Sequence, residues 1–420
     1  MKVLYVCADL GVPVLGGKGA AVHVRAMAQA LHDAGHAVTL VAGQLVKSPW
    51  ETPTECAVPV VHVPPSGDIV HASSRLRAFA HAVAAPTTAA GEVRRVLYSQ
   101  ELLIHLRQRF EHHPPDLVYE RASLFGVAGL TFAREAGVPH VLELNAPLSD
   151  EQQRYRRGGA LQALADTSES WLLQHTGAVL AVSAPLAAHV TTLGTDPARV
   201  HVIPNGVDTV RFRPAPDDGA LRARLGLGPG PVIGFVGGLR PWHGVEMLPR
   251  AIAALRRRHP QVHALIVGDG PLRADVTLEV ERLGLERHVT LVGAVPHDEI
   301  PAFIRAFDVA VAPYPDAPHA FYFSPLKVFE YMACGVPVVA ANLGQLSEVV
   351  RDGTTGVVYP AGDLDALVRA CEAVLADPVA ARRMGDAGVA AVAARHTWAH
   401  NATRVTRIAE ALAARRMAHA

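Results

Sequence analysis

Val232-Ile233-Gly234-Phe235-Val236-Gly237-Gly238 is a short apolar run that ends in paired glycines, and it stands just past the middle of a 420-residue chain. A run of this kind is a buried strand feeding a tight backbone turn. Behind it, Val245 to His259 carries the spacing of an amphipathic helix, and Val262 to Gly268 is the next strand. The chain opens in the same way. Val3 to Cys7 is a strand, Gly16-Gly17-Lys18-Gly19 a turn, and Val24, Met27, Ala28 and Leu31 mark a helix from about Ala20 to Ala34, closed by Gly35. One core would not serve 420 residues, because domains split beyond about 250 to 300. The restart at Val232 therefore predicts two α/β domains.

Working outward, the first half adds strands at Ala37 to Ala42, Val58 to Val63, Asp116 to Tyr119, His140 to Leu144, Ala178 to Val182 and Val200 to Ile203. The second adds Val289 to Gly293, Val309 to Ala312 and Val336 to Ala340, the last preceded by a helix from Lys327 to Cys334. Strands alternating with helices make parallel, doubly wound sheets. The expected division is 1–208 and 209–396, with Pro214 to Gly219 opening the linker region. Such sheets bind ligands at the carboxyl ends of their strands, so the two Rossmann-like domains are expected to face one another across a cleft.

Composition narrows the function. Lys plus Arg and Asp plus Glu are 39 each, so the summed field offers nothing general to nucleic acid or to an anionic membrane. Cys7, Cys56, Cys334 and Cys371 form no CxxC pair, which fits neither a disulfide framework nor a zinc site, and they read as reduced thiols. The N-terminus reads as a buried strand and not as a secretory signal, and no apolar run approaches the ~20 residues of a membrane helix. A cytoplasmic setting is the expectation. The arginines from Arg75 to Arg109 could form a membrane-facing helix, but Glu101 and Glu111 and the scarcity of large apolar side chains favour a solvated face.

The densest motif is Ser324-Pro325-Leu326-Lys327-Val328-Phe329-Glu330-Tyr331-Met332-Ala333-Cys334-Gly335-Val336-Pro337-Val338-Val339-Ala340, followed by Gly344, Glu348, Gly353 and Thr355-Gly356. In order before it come the early glycine turn, Asn205-Gly206-Val207-Asp208, Phe235-Val236-Gly237, Val267-Gly268-Asp269-Gly270-Pro271 and Val292-Gly293. Taken together over almost the whole chain, these resemble the family 4 glycosyltransferases of GT-B fold. The resemblance implies transfer of a hexose-type sugar from a nucleotide diphosphate sugar, a UDP-sugar first, with retention and without an essential metal. It implies no further cofactor, and a small-molecule, glycan or lipid-linked acceptor. It also implies that the stretch 397–420 crosses back to the N-terminal domain.

Lys327, near a helix start where free N–H groups and the dipole already favour an anion, is the expected phosphate ligand, with the backbone of Leu326 beside it. Glu330 is a carboxylate in an apolar helix, costly unless bonded, and the matching family glutamate accepts from ribose hydroxyls. The resemblance places Gly16, Gly17, Asn205, Gly237, Gly238, Gly268, Gly293, Ala294 and Ser324 around the donor as well. Gly335 and Pro337 read as structural, and Glu348 with Ser347 as a helix cap.

Four departures stand out. Tyr322 occupies the position of a family glutamate that touches the donor sugar, and Asp316 or His319 could take over part of that contact. Where the family has an arginine and a lysine on the diphosphate, this chain has Gly238 and His243, so Arg240 or His243 is expected to complete the cationic set with Lys327. A histidine in that role would make binding sensitive to pH. On the acceptor side Arg121 and Asn145 replace common histidines, leaving Glu120, Arg121, Glu143 and Asn145 as acceptor-site candidates without an evident base. A GxGxxG dinucleotide fingerprint is absent, which argues against a dehydrogenase. A nucleotide-sugar epimerase and a non-catalytic nucleotide-sugar binding protein remain the alternatives.

Overall fold

The computed structural model describes residues 1–418 apart from 49, 156–158, 217–218 and 317–319. It divides into two compact units, Met1–Pro204 with Trp398–Ala420, and Asn205–Thr397. The expected linker lies partly outside the described residues, at 217–218.

The first unit is built on a parallel sheet of β1 (Lys2–Cys7), β2 (Ala37–Ala42), β3 (Val60–His62), β4 (Leu117–Arg121), β5 (His140–Leu144), β6 (Ala178–Ala181) and β7 (Val200–Val202). Their order is β3-β2-β1-β4-β5-β6-β7. β4 and β5 are buried along their whole length, the mark of a sheet covered on both faces. The helix Gly19–Asp33 follows β1 and buries Val24, Met27, Ala28 and Leu31, as its spacing predicts. The helix Trp398–Met417 belongs to this unit and lies against it. The arginine-rich stretch forms two helices, Gly67–Ala82 and Thr88–Phe110.

The second unit repeats the plan with β8 (Val232–Val236), β9 (His263–Val267), β10 (Val289–Gly293), β11 (Val309–Ala312), β12 (Val338–Ala341) and β13 (Gly356–Tyr359). The order is β10-β9-β8-β11-β12-β13, all parallel. β13 is an addition to the sequence reading, in which Thr355-Gly356 counted only as part of a motif. The chain reverses its direction of winding between β1 and β4 in one sheet and between β8 and β11 in the other. These are the switch points at which such sheets take their ligands.

Candidate functional site

At the carboxyl edge of the second sheet, three neighbouring strands end in glycines whose backbone no side chain could share. Gly237 has φ +142°, Gly268 φ +136° and Gly293 φ +90°. A Cβ on Gly268 would stand 2.0 Å from the Gly237 carbonyl oxygen. The edge is stitched by the Gly237 N–H donating to Val267 O at 2.9 Å and the Gly268 N–H to Gly293 O at 2.8 Å. The result is a rail of bare backbone, with Ala294 exposed just beyond it.

Lys327 lies over the end of this rail. It is the second residue of the helix Leu326–Ala333, whose N-cap Pro325 offers no side-chain hydrogen bond to the first turn, while the Val328 N–H turns back to Pro325 O at 3.2 Å. The Tyr331 hydroxyl accepts from the Val236 N–H at 2.7 Å and fastens the helix to β8. Gly335, at φ +77°, closes the other end, and the Val336 N–H returns to Tyr331 O at 3.1 Å. So held, Lys327 is 8% exposed and its Nζ has no hydrogen-bond partner among the described residues. Nζ sits 4.2 Å from the Phe235 ring centre and 5.2 Å from that of Tyr314, between the ends of β8 and β11, and a Cβ on Gly237 would lie 2.9 Å from it. Burial lowers its pKa to about 7, with Glu330 opposing the shift. The two rings attract the cation but give it no hydrogen bond.

His243 lies in the turn Pro241–His243, and Gly244 behind it, at φ +68°, is pressed against the Pro313 carbonyl. His243 Nδ1 stands 2.6 Å from the Gly238 carbonyl oxygen and therefore donates to it. Burial, then the neighbouring Lys327 charge, lowers its pKa to about 3. Without a ligand a charge on His243 is disfavoured, because a buried site already holding one ammonium resists another. Arg240 is exposed, with its guanidinium 5.7 Å from the Trp242 ring centre.

Glu330, one turn beyond Lys327, is 6% exposed, and its Oε1 accepts from His297 Nε2 at 2.8 Å. His297 follows β10, and no motif singled it out. A polar residue in a loop gives no sign in sequence of which distant carboxylate it meets. Asn205 and Ser324, each named as a donor-site candidate, meet: the Asn205 N–H donates to Ser324 Oγ at 2.9 Å and its side-chain amide to the Ser324 carbonyl. Tyr322 is buried against Phe323, ring centres 4.4 Å apart, beside the ring pair of Tyr314 and Phe321. Asp316 is exposed, and His319 lies outside the described residues. Ser347 donates back to the Gly344 carbonyl at 3.1 Å, and the helix Gln345–Val349 has no side-chain cap, so the expected cap by Ser347 and Glu348 does not form.

In the first unit Glu143 of β5 is a hub. It accepts from Arg121 Nη1 at 2.7 Å, from the Tyr119 hydroxyl and from Asn145 Nδ2, with His23 Nε2 2.8 Å away and the Tyr5 hydroxyl at 3.4 Å. Burial alone would raise its pKa, but His23, Arg121 and Tyr119 together hold it well below the usual carboxylate range. Arg121, Glu143 and Asn145 thus converge, while Glu120 does not. One residue from Arg121 on the same strand, it faces the other side of the sheet, meets His140 at 2.9 Å and accepts from the Gly129 and Leu130 N–H groups. It caps a helix. At the early turn the Gly16 N–H donates to Pro13 O at 2.8 Å and its carbonyl accepts from Arg25, so that amide is already used, while Gly17 stands in open space.

Residues 17–211 match the family model described as Glycosyltransferase Family 4, and residues 230–377 the one described as Glycosyl transferases group 1. A GDP-mannose-dependent alpha-(1-6)-phosphatidylinositol monomannoside mannosyltransferase of Mycolicibacterium smegmatis is 40% identical over 228 residues, 53% of this chain and 58% of that one. A D-inositol 3-phosphate glycosyltransferase of Nocardia farcinica is 34% identical over 310 residues, 71% of this chain and 67% of the relative. The matches thus span roughly six-tenths of the length of these relatives. Among solved structures, Anabaena Alr3699/HepE in complex with UDP and glucose superimposes with a TM-score of 0.72 at 21% identity, covering 98% of this chain and 100% of that one. That likeness is one of fold, the α/β two-domain GT-B fold.

Proposed function

The chain belongs to glycosyltransferase family 4, and from that premise we propose that it moves a hexose-type sugar from a nucleoside diphosphate sugar to an acceptor hydroxyl, with retention and without a metal ion. The observation that carries the proposal is the Lys327 ammonium, buried at the switch point of the second sheet with no hydrogen-bonding partner among the described residues. A buried cation is costly unless paired, and the ligand that pairs it here is an anion. The diphosphate would take Lys327 and the first-turn amides of Leu326 and Lys327. The glycines at 237, 268 and 293 would let the nucleotide lie against backbone, and Glu330 would accept from the ribose. His243, its pKa lowered by burial and by Lys327, supplies no charge in the free protein and serves as a neutral donor to the Gly238 carbonyl.

In the proposed reaction the acceptor oxygen bonds to the anomeric carbon on the face from which the diphosphate departs. The bond from that carbon to the phosphate oxygen breaks, and the acceptor's proton passes to the departing oxygen. Products are a glycoside and a nucleoside diphosphate. Glu143, held ionised by its donors, is unsuited to act as the base, which favours a route in which the leaving group takes the proton.

The family resemblance points to a uracil nucleotide as donor and the name of the mannosyltransferase relative to a guanine one. Both relatives are named for inositol-containing acceptors, so we place the acceptor in the class of inositol-type polyols, free or lipid-linked. Incubating the protein with GDP-mannose, UDP-glucose or ADP-glucose, each with myo-inositol, inositol phosphates or phosphatidylinositol vesicles and excess EDTA, tests this. Product with the donor's anomeric configuration is expected from one donor. Donor alone should return unchanged, whereas an epimerase would convert it. Failure of every nucleotide to bind would sink the site assignment.

A further inference from the structure

His297 does more than fill space behind Glu330. Its Nε2 lies 2.8 Å from Glu330 Oε1, and its Nδ1 lies 3.4 Å from Arg211 Nη1. Arginine only donates, so Nδ1 is the acceptor and the ring proton is on Nε2, aimed at the carboxylate. The ring is held at its face by the fully buried Phe212, 5.3 Å between centres. Arg211 stands beside Asp208, whose Oδ1 accepts from the Val210 and Arg211 N–H groups and fixes that turn. A chain of three residues from two separate loops, Asp208, Arg211 and His297, thus ends on one oxygen of one carboxylate. The other oxygen, Oε2, has no protein partner among the described residues. A carboxylate offers about four acceptor sites, and one is taken.

Resting on the reading of Glu330 as a ribose ligand, we propose that His297 is a positioning residue for recognition of the ribose diol. By holding Oε1 it fixes the plane of the carboxylate and presents Oε2 and the remaining lone pair of Oε1 to two adjacent hydroxyls. Without it the glutamate could rotate about its last torsion, a broad two-fold well, and one of the two hydroxyls would lose its acceptor. A neutral donor suits the task, since it orients the charge and leaves it to the ligand.

The test uses calorimetric binding of UDP, GDP and ADP, and of the 2′-deoxy form of whichever binds, to the wild-type chain, to His297→Ala and to His297→Gln. A hydrogen bond to a charged acceptor corresponds to a preference of roughly 10- to 100-fold, and wild type should favour the ribonucleotide by that much. His297→Ala should reduce the preference to a few-fold while leaving the deoxynucleotide's affinity unchanged. His297→Gln, whose amide can donate from nearly the same place, should restore it. If His297→Ala keeps the preference, or weakens ribo and deoxy forms alike, the inference is overturned and His297 only packs. If the wild type binds no nucleotide, the underlying reading of the site fails, and this inference with it.

Discussion

Glu143 and Lys327 are both buried charges near the switch point of a parallel sheet, each in its own unit, and their surroundings are opposite. Glu143 is ringed by donors from β1, β4 and the first long helix. Lys327 has two aromatic faces and, among the described residues, no acceptor. The two sheets arise from the same strand-turn-helix grammar, so the contrast comes from the side chains placed on it. A buried charge that the protein has completed holds the fold together, whereas one left incomplete is an expense that a ligand removes.

The comparison breaks most directly at Glu143. Its replacement by Ala strands the Arg121 guanidinium, and we expect a loss of about 3 to 5 kcal/mol in denaturant unfolding of the first unit. Donor affinity measured on the folded fraction should stay as it was. An unaltered stability would mean that the hub is not the structural charge described here.

Lys327→Met should do the reverse. Removing an uncompensated cation should leave the thermal midpoint unchanged or raise it, while nucleoside diphosphate affinity falls on the order of 100-fold with the loss of a charge-assisted bond. A lower midpoint with intact affinity would reverse the roles assigned to the two residues.

The pH dependence sharpens the same point. Below about 7 Lys327 carries its proton in both folded and unfolded chains and contributes no slope. Between about 7 and its ordinary value of 10.5, the unfolded chain holds the proton and the folded chain does not, so stability from this group rises with pH. A bound diphosphate keeps the proton on, so affinity should fall above pH 7, by up to about tenfold per unit. Titration calorimetry in buffers of different ionisation enthalpy would show the proton uptake at pH 8. Lys327→Met should abolish both slopes. The smallest effect is expected at His243: His243→Asn keeps a donor for the Gly238 carbonyl and should change affinity less than about fivefold, with the pH of decline unmoved. A displaced decline would mean that His243 carries the proton.

Much of this was legible in the sequence, and for specific reasons. The glycines at 237, 268 and 293 end apolar runs, so strand ends and bare backbone could be read together. Lys327 and Glu330 stand on a helix start with recognisable neighbours. Arg121 and Glu120 could have been separated by the two-residue period of a strand alone, which sends them to opposite faces. His23 and His297 could not be found, because each acts on a carboxylate more than thirty residues away in the chain. The charge of His243 was out of reach as well, since it depends on burial and on the distance to Lys327.

The glycine rail has a consequence for anyone seeking to alter donor choice by directed evolution. Gly268 stands against the Gly237 carbonyl, Gly237 against Lys327, and Gly244 against the Pro313 carbonyl, so side chains introduced at these positions would collide before meeting any ligand. Diversity is better confined to Ala294 and Arg240, which are exposed, and to Tyr322. The variable part of this surface is a handful of side chains standing on a floor that sequence change cannot furnish.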